Sequence, residues 1–275
     1  AISRRDVEVL YTFLNDKKKK INNKVEELHV ILHSSGGDPD TAYQMSRIIH
    51  RIGENLANSV TYVIPRYAKS ASTLMALGGN KIVMTEIAEL GPIDPQIFFE
   101  GQWVSAKTVK SSMKSMMEVL LDTIEERSKN TSSASLQKVI DAMIDNIIGR
   151  FAGIGEYESI IEYTRQLARE LLSIRMFPTS QGQADIDSII NSLIMGYSSH
   201  GMVIDYQKAT QIGLKVEKAD EDVEEHLLKI YSKLNEIFNY VDVLGSGLSE
   251  QLNVQYLPSF PLIFDHGIIM LPWPS

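Results

Sequence analysis

The 275-residue sequence predicts an α/β fold, with a parallel sheet in its first part and a mainly helical continuation. Strand and helix signals alternate up to about residue 85, and the links between them are short, as in strand–helix–strand crossovers. From residue 105 onward, apolar residues recur at helical spacing instead. The length corresponds to one large domain or two small ones.

The individual elements follow from apolar runs and their boundary residues. Asp38 and Pro39 supply an N-cap and a proline at the first helical position, so a helix is expected directly after them. The predicted elements are a strand over 28–33, a helix over 39–54, a strand over 59–64, a helix over 70–77 and a strand over 81–85. Helices are expected over 105–128, 132–149, 156–176, 184–195, 206–212 and 221–240. The tail from residue 241 is rich in glycine and proline and predicts no element.

Composition excludes several classes of protein. With 27 Lys and Arg against 35 Asp and Glu, the net charge is −8, so a general nucleic-acid binder is not expected. The run Lys17–Lys20 is interpreted as a solvated helix end. The absence of cysteine excludes disulfides, thiolate zinc sites and a cysteine nucleophile, and it agrees with a cytoplasmic location. No apolar run reaches the ~20 residues of a membrane helix, so no membrane segment is expected.

A glycine pair follows the first predicted strand, in the segment Ser34-Ser35-Gly36-Gly37-Asp38. Paired glycines let the backbone turn sharply and leave N–H groups facing open space. Such groups can bind an oxyanion or a phosphate. A plain tight turn between strand and helix would carry the same residues, so this segment alone leaves both interpretations open.

Two further segments combine polar residues with rigid turns. In Lys69-Ser70-Ala71-Ser72-Thr73, a serine opens a helix directly after a strand, where its hydroxyl is exposed beside helix N–H groups. The alternative is that Ser70 or Ser72 is only an N-cap. In Glu89-Leu90-Gly91-Pro92-Ile93-Asp94-Pro95-Gln96, an aspartate is held in a proline-rich loop, for which an Asx turn is the alternative.

Together these segments resemble the Clp-protease/crotonase superfold, and within it the sequence is similar to the serine dehydrogenase proteinase family. The resemblance rests on residues 33–38, 68–77, 82–96 and 199–214, and it covers roughly residues 25–215. It implies a Clp-protease/crotonase-like ββα superhelix with a parallel sheet, a helical insertion and a C-terminal helical extension. The implied domains are a serine protease domain over 1–215, with the insertion at about 105–195, and a C-terminal helix and irregular tail over 216–275.

The resemblance also implies a catalytic triad in the order Ser, Asp, His. Ser70 would be the nucleophile, Asp94 would orient the base, and His200 would be the base. A serine hydroxyl becomes a good nucleophile when an imidazole takes its proton, and a carboxylate fixes the tautomer of that imidazole. The implied oxyanion hole consists of N–H groups of Gly36, Gly37 and Ala71. Ser72 stands where relatives usually have glycine.

Other bases remain open at this stage. His266, in Asp265-His266-Gly267, is a rival to His200. A lysine would serve in a Ser–Lys dyad, as in signal peptide peptidases, and the candidates are Lys69, Lys110 and Lys114. No metal or other cofactor is expected, since no HExxH motif or comparable cluster occurs.

The leading functional interpretation is a serine peptidase that works through an acyl-enzyme on a peptide or protein substrate. One alternative is an acyl-CoA enzyme of the crotonase type, in which the paired amides would polarise a thioester carbonyl. Another is a non-catalytic interaction module with the same fold. The superfold usually assembles into trimers or hexamers, so a homo-oligomer or a larger protein complex is expected, with contacts through apolar helices after residue 105 or through residues 216–275.

Overall fold

The structure is a computed structural model, and it describes residues 2–20, 23–99, 101–128, 137–138, 140–141, 154–179, 183–197, 199–233, 262–264 and 267–270. Its elements, in chain order, are α1 (Arg4–Lys20), β1 (Val25–Leu32), α2 (Pro39–Leu56), β2 (Ala57–Ile64), β3 (Tyr67–Ala68), α3 (Ala71–Ala76), β4 (Lys81–Met84), β5 (Glu89–Leu90), β6 (Gln96–Phe99), β7 (Gln102–Ser105), α4 (Ala106–Ser128), α5 (Ile154–Ile174), α6 (Gln183–Met195), α7 (Tyr206–Gln211), β8 (Val216–Lys218), β9 (Leu262–Phe264) and β10 (Gly267–Met270). Residues 221–233 are also helical.

Six of the described strands form the main sheet, in the order β8-β4-β2-β1-β10-β9. All neighbouring pairs are parallel except β10 with β9, which is antiparallel. The register pairs Val30 of β1 with Tyr62 of β2, and Tyr62 with Ile82 of β4. These three side chains are completely buried, so the parallel strands contribute directly to the core.

Helix α2 shows how the sequence positions the first crossover. Asp38 is its N-cap, and the carboxylate accepts a hydrogen bond from the N–H of Thr41 at 3.2 Å. Pro39 occupies the first helical position, where a missing N–H costs nothing. Apolar residues at helical spacing then face the core, and Ala42, Met45 and Ile49 are almost fully buried.

The alternating α/β pattern predicted for residues 28–85 is confirmed, with boundaries that differ by at most three residues. The helices predicted over 105–128, 156–176, 184–195 and 206–212 are also present with small shifts, and Lys17–Lys20 form the last turn of a helix as expected. Of the helix predicted over 132–149, only residues 137–138 and 140–141 are described, and they are helical. The tail, which predicted no element, contains β9 and β10 among its described residues.

The chain divides into two compact units, Ala1–Ile93 with Gln166–Ser275, and Asp94–Arg165. Within the second unit, β6 and β7 form an antiparallel hairpin, and Lys110 pairs with Glu158 at 2.6 Å. In the described ranges, no helix combines the length and the apolar character needed to cross a bilayer. The domain boundaries implied by the family resemblance stay a prediction.

Candidate active site

Ser70 occupies a strained turn between β3 and α3. Its backbone angles are φ 51° and ψ −119°, and it is the only non-glycine residue with positive φ in the described part of the chain. L-residues avoid this region, and holding one there costs roughly 1–3 kcal/mol. The side chain is partly exposed and makes no capping hydrogen bond. The geometry is therefore that of a partly exposed hydroxyl on a strained turn, which we call the elbow, rather than that of an ordinary helix cap.

Gly36 lies directly against this elbow. A Cβ placed on Gly36 would be 2.9 Å from the carbonyl oxygen of Lys69 and 3.0 Å from the Cβ of Ser70. The residue also has φ +111°, so both space and backbone conformation require glycine here. The predicted glycine turn and the predicted serine turn are thus in contact.

Gly37 is restricted by a different neighbour. It has φ +143°, and a Cβ at this position would lie 2.3 Å from the carbonyl oxygen of Ile2. Ile2 and Gly37 form a parallel β-bridge, in which the N–H of Ile2 donates to Gly36 O at 2.7 Å. Gly37 itself is exposed, whereas Gly36 is buried.

Four chain segments run side by side beneath the elbow. A parallel bridge joins Ser34 to Ala68, β3 pairs with β5, and an antiparallel bridge joins Leu90 to Ile204. Each segment leads to a predicted site residue within four positions along the chain. The pairings place these four segments side by side, as a ladder, since neighbouring strands lie only about 4.8 Å apart.

Two side chains fasten the elbow to the neighbouring loop. The hydroxyl of Thr73 donates to the carbonyl oxygen of Ala68 at 2.6 Å and accepts from the N–H of Gly91 at 3.1 Å. Lys69 reaches away from Ser70, with its ammonium group 3.2 Å from both the carbonyl oxygen of Leu90 and the carboxylate of Glu89. Both contacts of the Lys69 ammonium group are thus with residues of β5.

His200 and Asp94 lie in different units. His200 belongs to the first unit and occupies a turn four residues before Ile204, so the ladder carries its segment. Asp94 is the first residue of the second unit; it is buried, and the side-chain amide of Gln96 donates to its carboxylate at 3.4 Å. His266, the rival base, lies outside the described residues.

Sequence reasoning missed a half-buried aromatic cluster next to the ladder. The ring of His33 lies tilted against Tyr67, with 4.0 Å between the centroids, and meets Tyr231 edge to face at 4.8 Å. Burial, aided by the positive charge of Arg66, lowers the pKa of His33 to about 4. Burial, aided by nearby Tyr231, raises the pKa of Tyr67 above its usual value. A histidine at the end of a strand gives no sequence signal for such a partner.

Ser72 is the second hydroxyl near the elbow. It is completely buried in α3, and its Oγ has no hydrogen-bond partner among the described residues. Within the same described ranges, no group of three or more His, Cys, Asp or Glu side chains is placed to hold a metal ion.

The described residues form a mixed α/β fold with a mainly parallel sheet, as the sequence predicted. Residues 16–149, just under half of the chain, match a family described as ClpP-like SDH-type serine proteinase. The resemblance to the serine dehydrogenase proteinases is thereby confirmed. The matched region includes Gly36, Gly37, Ser70 and Asp94 and ends before His200.

Similar proteins are found among curated sequences and solved structures. Two uncharacterized proteins of Methanocaldococcus jannaschii, MJ0137 and MJ1495, are 34% identical over 88 residues and 27% identical over 129 residues. These matches cover 32% and 40% of this chain, and they span only 28% and 43% of the relatives' own lengths. Two structures of mutants of the 1510-N membrane-bound stomatin-specific protease, one with a substrate peptide, give TM-scores of 0.47 and 0.46 at 14% and 15% identity. They cover 80% and 81% of this chain, and 76% and 73% of those chains.

Proposed function

We propose that the protein is a serine peptidase that hydrolyses peptide bonds through an acyl-enzyme on Ser70. The observation that carries the proposal is the strained, uncapped conformation of Ser70 in a segment that matches a serine proteinase family. Strain of this kind persists only where the surroundings enforce it, and it concentrates at functional sites. The conformation also presents the hydroxyl beside the first N–H groups of a helix.

The proposed reaction has two balanced steps. His200 takes the proton of Ser70 as Oγ bonds to the substrate's carbonyl carbon, and the same proton passes to the leaving amine when the C–N bond breaks. Water, deprotonated by His200, then attacks the acyl-serine and releases the carboxylic acid product and Ser70. Asp94 orients the imidazole. The negative charge on the carbonyl oxygen is stabilised by N–H groups of the glycine turn and of Ala71.

Gly37 is the better candidate for the oxyanion donor within the glycine turn. The N–H of Gly36 already donates to the hydroxyl of Ser34 at 3.1 Å. Among the described residues, no hydrogen bond reaches the N–H of Gly37 or that of Ala71. Gly36 contributes instead by allowing the turn to approach Ser70 closely.

His200 is preferred to a lysine base because each candidate lysine has an acidic neighbour. Lys69 contacts Glu89, and Lys110 contacts Glu158 within the second unit. Lys114 is 79% exposed and lies 4.0 Å from Glu118. A general base near neutral pH would need a desolvated lysine without such a partner.

Labelling with a fluorophosphonate tests the nucleophile. The adduct should map to Ser70 by mass spectrometry and disappear in Ser70→Ala, whereas Ser72→Ala should label normally. An adduct on Ser72, or no adduct on an active preparation, would contradict the assignment. A trapped acyl-serine would also exclude the crotonase-type alternative, which has no need of Ser70.

Substitutions test the base. His200→Ala should abolish peptide hydrolysis, and Asp94→Asn should reduce kcat by about 10⁴ through the wrong tautomer, as in the serine-protease template. Lys69→Met, Lys110→Met and Lys114→Met should retain turnover. An active His200→Ala enzyme whose rate keeps rising into alkaline pH would favour a Ser–Lys dyad.

Self-association is proposed through the second unit. On α4, Val119 and Leu121 are 63% and 59% exposed, and Met116 and Met117 beside them are also exposed. Exposed apolar side chains grouped on one helix commonly mark an interface. Sedimentation should show a species larger than a monomer, and Val119→Glu with Leu121→Glu should dissociate it. A monomer at all concentrations would contradict this proposal.

A further inference from the structure

Three consecutive peptide groups of the glycine turn are held by hydrogen bonds. The N–H of Gly36 donates to the Oγ of Ser34 at 3.1 Å. The N–H of Ile2 donates to the carbonyl oxygen of Gly36 at 2.7 Å, and the N–H of Asp38 donates to the carbonyl oxygen of Ile2 at 3.1 Å. One N–H within this run, that of Gly37, is left without a partner among the described residues.

The orientation of that N–H follows from the planarity of the peptide group. In a trans peptide, the C=O of one residue and the N–H of the next point in opposite directions. Since Ile2 holds the carbonyl of Gly36, the N–H of Gly37 points away from Ile2. A flip of this peptide would break the Ile2–Gly36 hydrogen bond and turn the N–H of Gly37 toward Ile2.

Ser34 connects this turn to the β3 segment, which leads to Ser70. Its N–H donates to the carbonyl oxygen of Tyr67 at 3.1 Å, and its carbonyl oxygen accepts from the N–H of Lys69 at 3.0 Å. Ser34 is 2% exposed, so its hydroxyl is available to Gly36 rather than to solvent. Ser34 therefore holds the N–H of Gly36 with its side chain and keeps the glycine turn next to β3 with its main chain.

From these contacts we infer that Ser34 and Ile2 are positioning residues, which hold the Gly36–Gly37 peptide so that the N–H of Gly37 faces the substrate's carbonyl oxygen. The inference rests on the proposed function. The Ser34 side chain and the Ile2 main chain would then influence catalysis through the orientation of Gly37. Glycine has the widest backbone freedom of any residue, so without these restraints the donor would sample other directions.

Ser34→Ala is the direct kinetic test. Loss of a complete oxyanion donor costs about 10²–10³ in kcat. Loosening a donor that remains present should cost less, about five- to tenfold, which corresponds to one neutral hydrogen bond. KM should stay unchanged, because the oxyanion forms only in the transition state. Ser34→Thr, which keeps the hydroxyl, should recover most of the loss.

Ser46→Ala is the matched control. Ser46 is also buried, at 1% exposed, and its hydroxyl donates to the carbonyl oxygen of Met75 at 3.0 Å. This variant should unfold at a lower denaturant concentration, as Ser34→Ala should, but its kcat should match the wild type. An equal loss of kcat in both variants would reduce the role of Ser34 to general stability and overturn the inference.

The role of Ile2 is tested by a pair of variants that separate its backbone from its side chain. Ile2→Pro removes the N–H that holds Gly36, whereas Ile2→Ala removes the buried side chain and keeps that N–H. The proline variant should lose at least tenfold more kcat than the alanine variant. Equal activities would overturn the role assigned to Ile2.

Amide hydrogen exchange on ¹⁵N-glycine-labelled protein tests the clamp, meaning the hydrogen bonds from Ser34 and Ile2 that hold the Gly36–Gly37 peptide. This measurement does not require activity. In the wild type, the N–H of Gly36 should be protected and that of Gly37 should exchange fast; Ser34→Ala should abolish the protection of Gly36. Fast exchange at Gly36 in the wild type would overturn the clamp even if the enzyme is active. A protected Gly36 in a protein that shows no labelling of Ser70 would support the clamp while the proposed function fails.

Discussion

The strained backbone of Ser70 leads to a prediction about protein stability that does not depend on catalysis. At φ 51° and ψ −119°, an L-residue is strained, whereas glycine adopts such angles freely. Replacing Ser70 by glycine should therefore release strain that Ser70→Ala retains. Both variants lack the hydroxyl, so the difference between their free energies of unfolding reports the effect of the backbone conformation.

The magnitude follows from two opposing effects. Strain at such a position costs roughly 1–3 kcal/mol. Glycine loses more conformational entropy on folding than alanine, which offsets about 0.5–1 kcal/mol of the gain. Ser70→Gly should thus be more stable than Ser70→Ala by up to about 2.5 kcal/mol. For a chain of this size, each kcal/mol shifts Tm by about 2–4 °C.

Urea denaturation followed by far-UV circular dichroism would measure the difference. Ser59, in the middle of an ordinary strand, provides the control, since Ser59→Gly should be less stable than Ser59→Ala by about 0.5–1 kcal/mol. The sign at position 70 should be the reverse. If Ser70→Gly were the less stable member of its pair, Ser70 would not be strained and the elbow would lose its main support.

Three further changes have defined outcomes. Ser72→Ala removes a buried hydroxyl without a described partner, so the free energy of unfolding should rise by about 1 kcal/mol in urea titration. Thr73→Val deletes the hydroxyl that joins Ala68 and Gly91, and it should lower the free energy of unfolding by about 1–3 kcal/mol and slow fluorophosphonate labelling. His33 has a pKa of about 4 when folded and an ordinary value near 6.5 when unfolded, so the unfolded state binds more protons between those pH values. The wild type should then lose about 3 kcal/mol between pH 6.5 and 4 relative to His33→Phe, and parallel stability curves would contradict this.

The sequence predicts the crossover elements because their signals are local. The Asp38–Pro39 pair and the apolar spacing after it place α2 almost at its observed bounds, Pro39–Leu56. Strands β3 and β5 were not predicted, because two residues are too few for alternation to be visible. These short strands nevertheless form the pairings next to Ser34 and Ile204.

The sequence also does not indicate whether Gly36 or Gly37 is the better candidate for the oxyanion donor. Both glycines stand in the same turn, and both have positive φ. They differ in their hydrogen bonds, which depend on the Ser34 side chain and on Ile2, more than thirty positions away along the chain. No periodicity or motif encodes such a long-range backbone bridge.

Two other helix caps in the same chain show what Ser70 would look like if it were only a helix cap. Asp38, before α2, has φ −71° and ψ 119°, and its carboxylate accepts from the N–H of Thr41. Asp205, before α7, has φ −73° and ψ 178°, and its carboxylate accepts from the N–H of Lys208. Both are ordinary caps, with extended backbone and a side chain folded over the helix start.

Ser70 differs from these caps in both respects, since its φ is positive and its side chain makes no capping hydrogen bond. A residue that served only to begin a helix would gain stability from the ordinary geometry and would avoid the strain. At Ser70 the strained backbone comes with no capping hydrogen bond, and the N–H of Ala71 has no hydrogen-bond partner among the described residues. Strain that brings no capping hydrogen bond is expected of a residue held for a function other than beginning a helix, which supports the role proposed for Ser70.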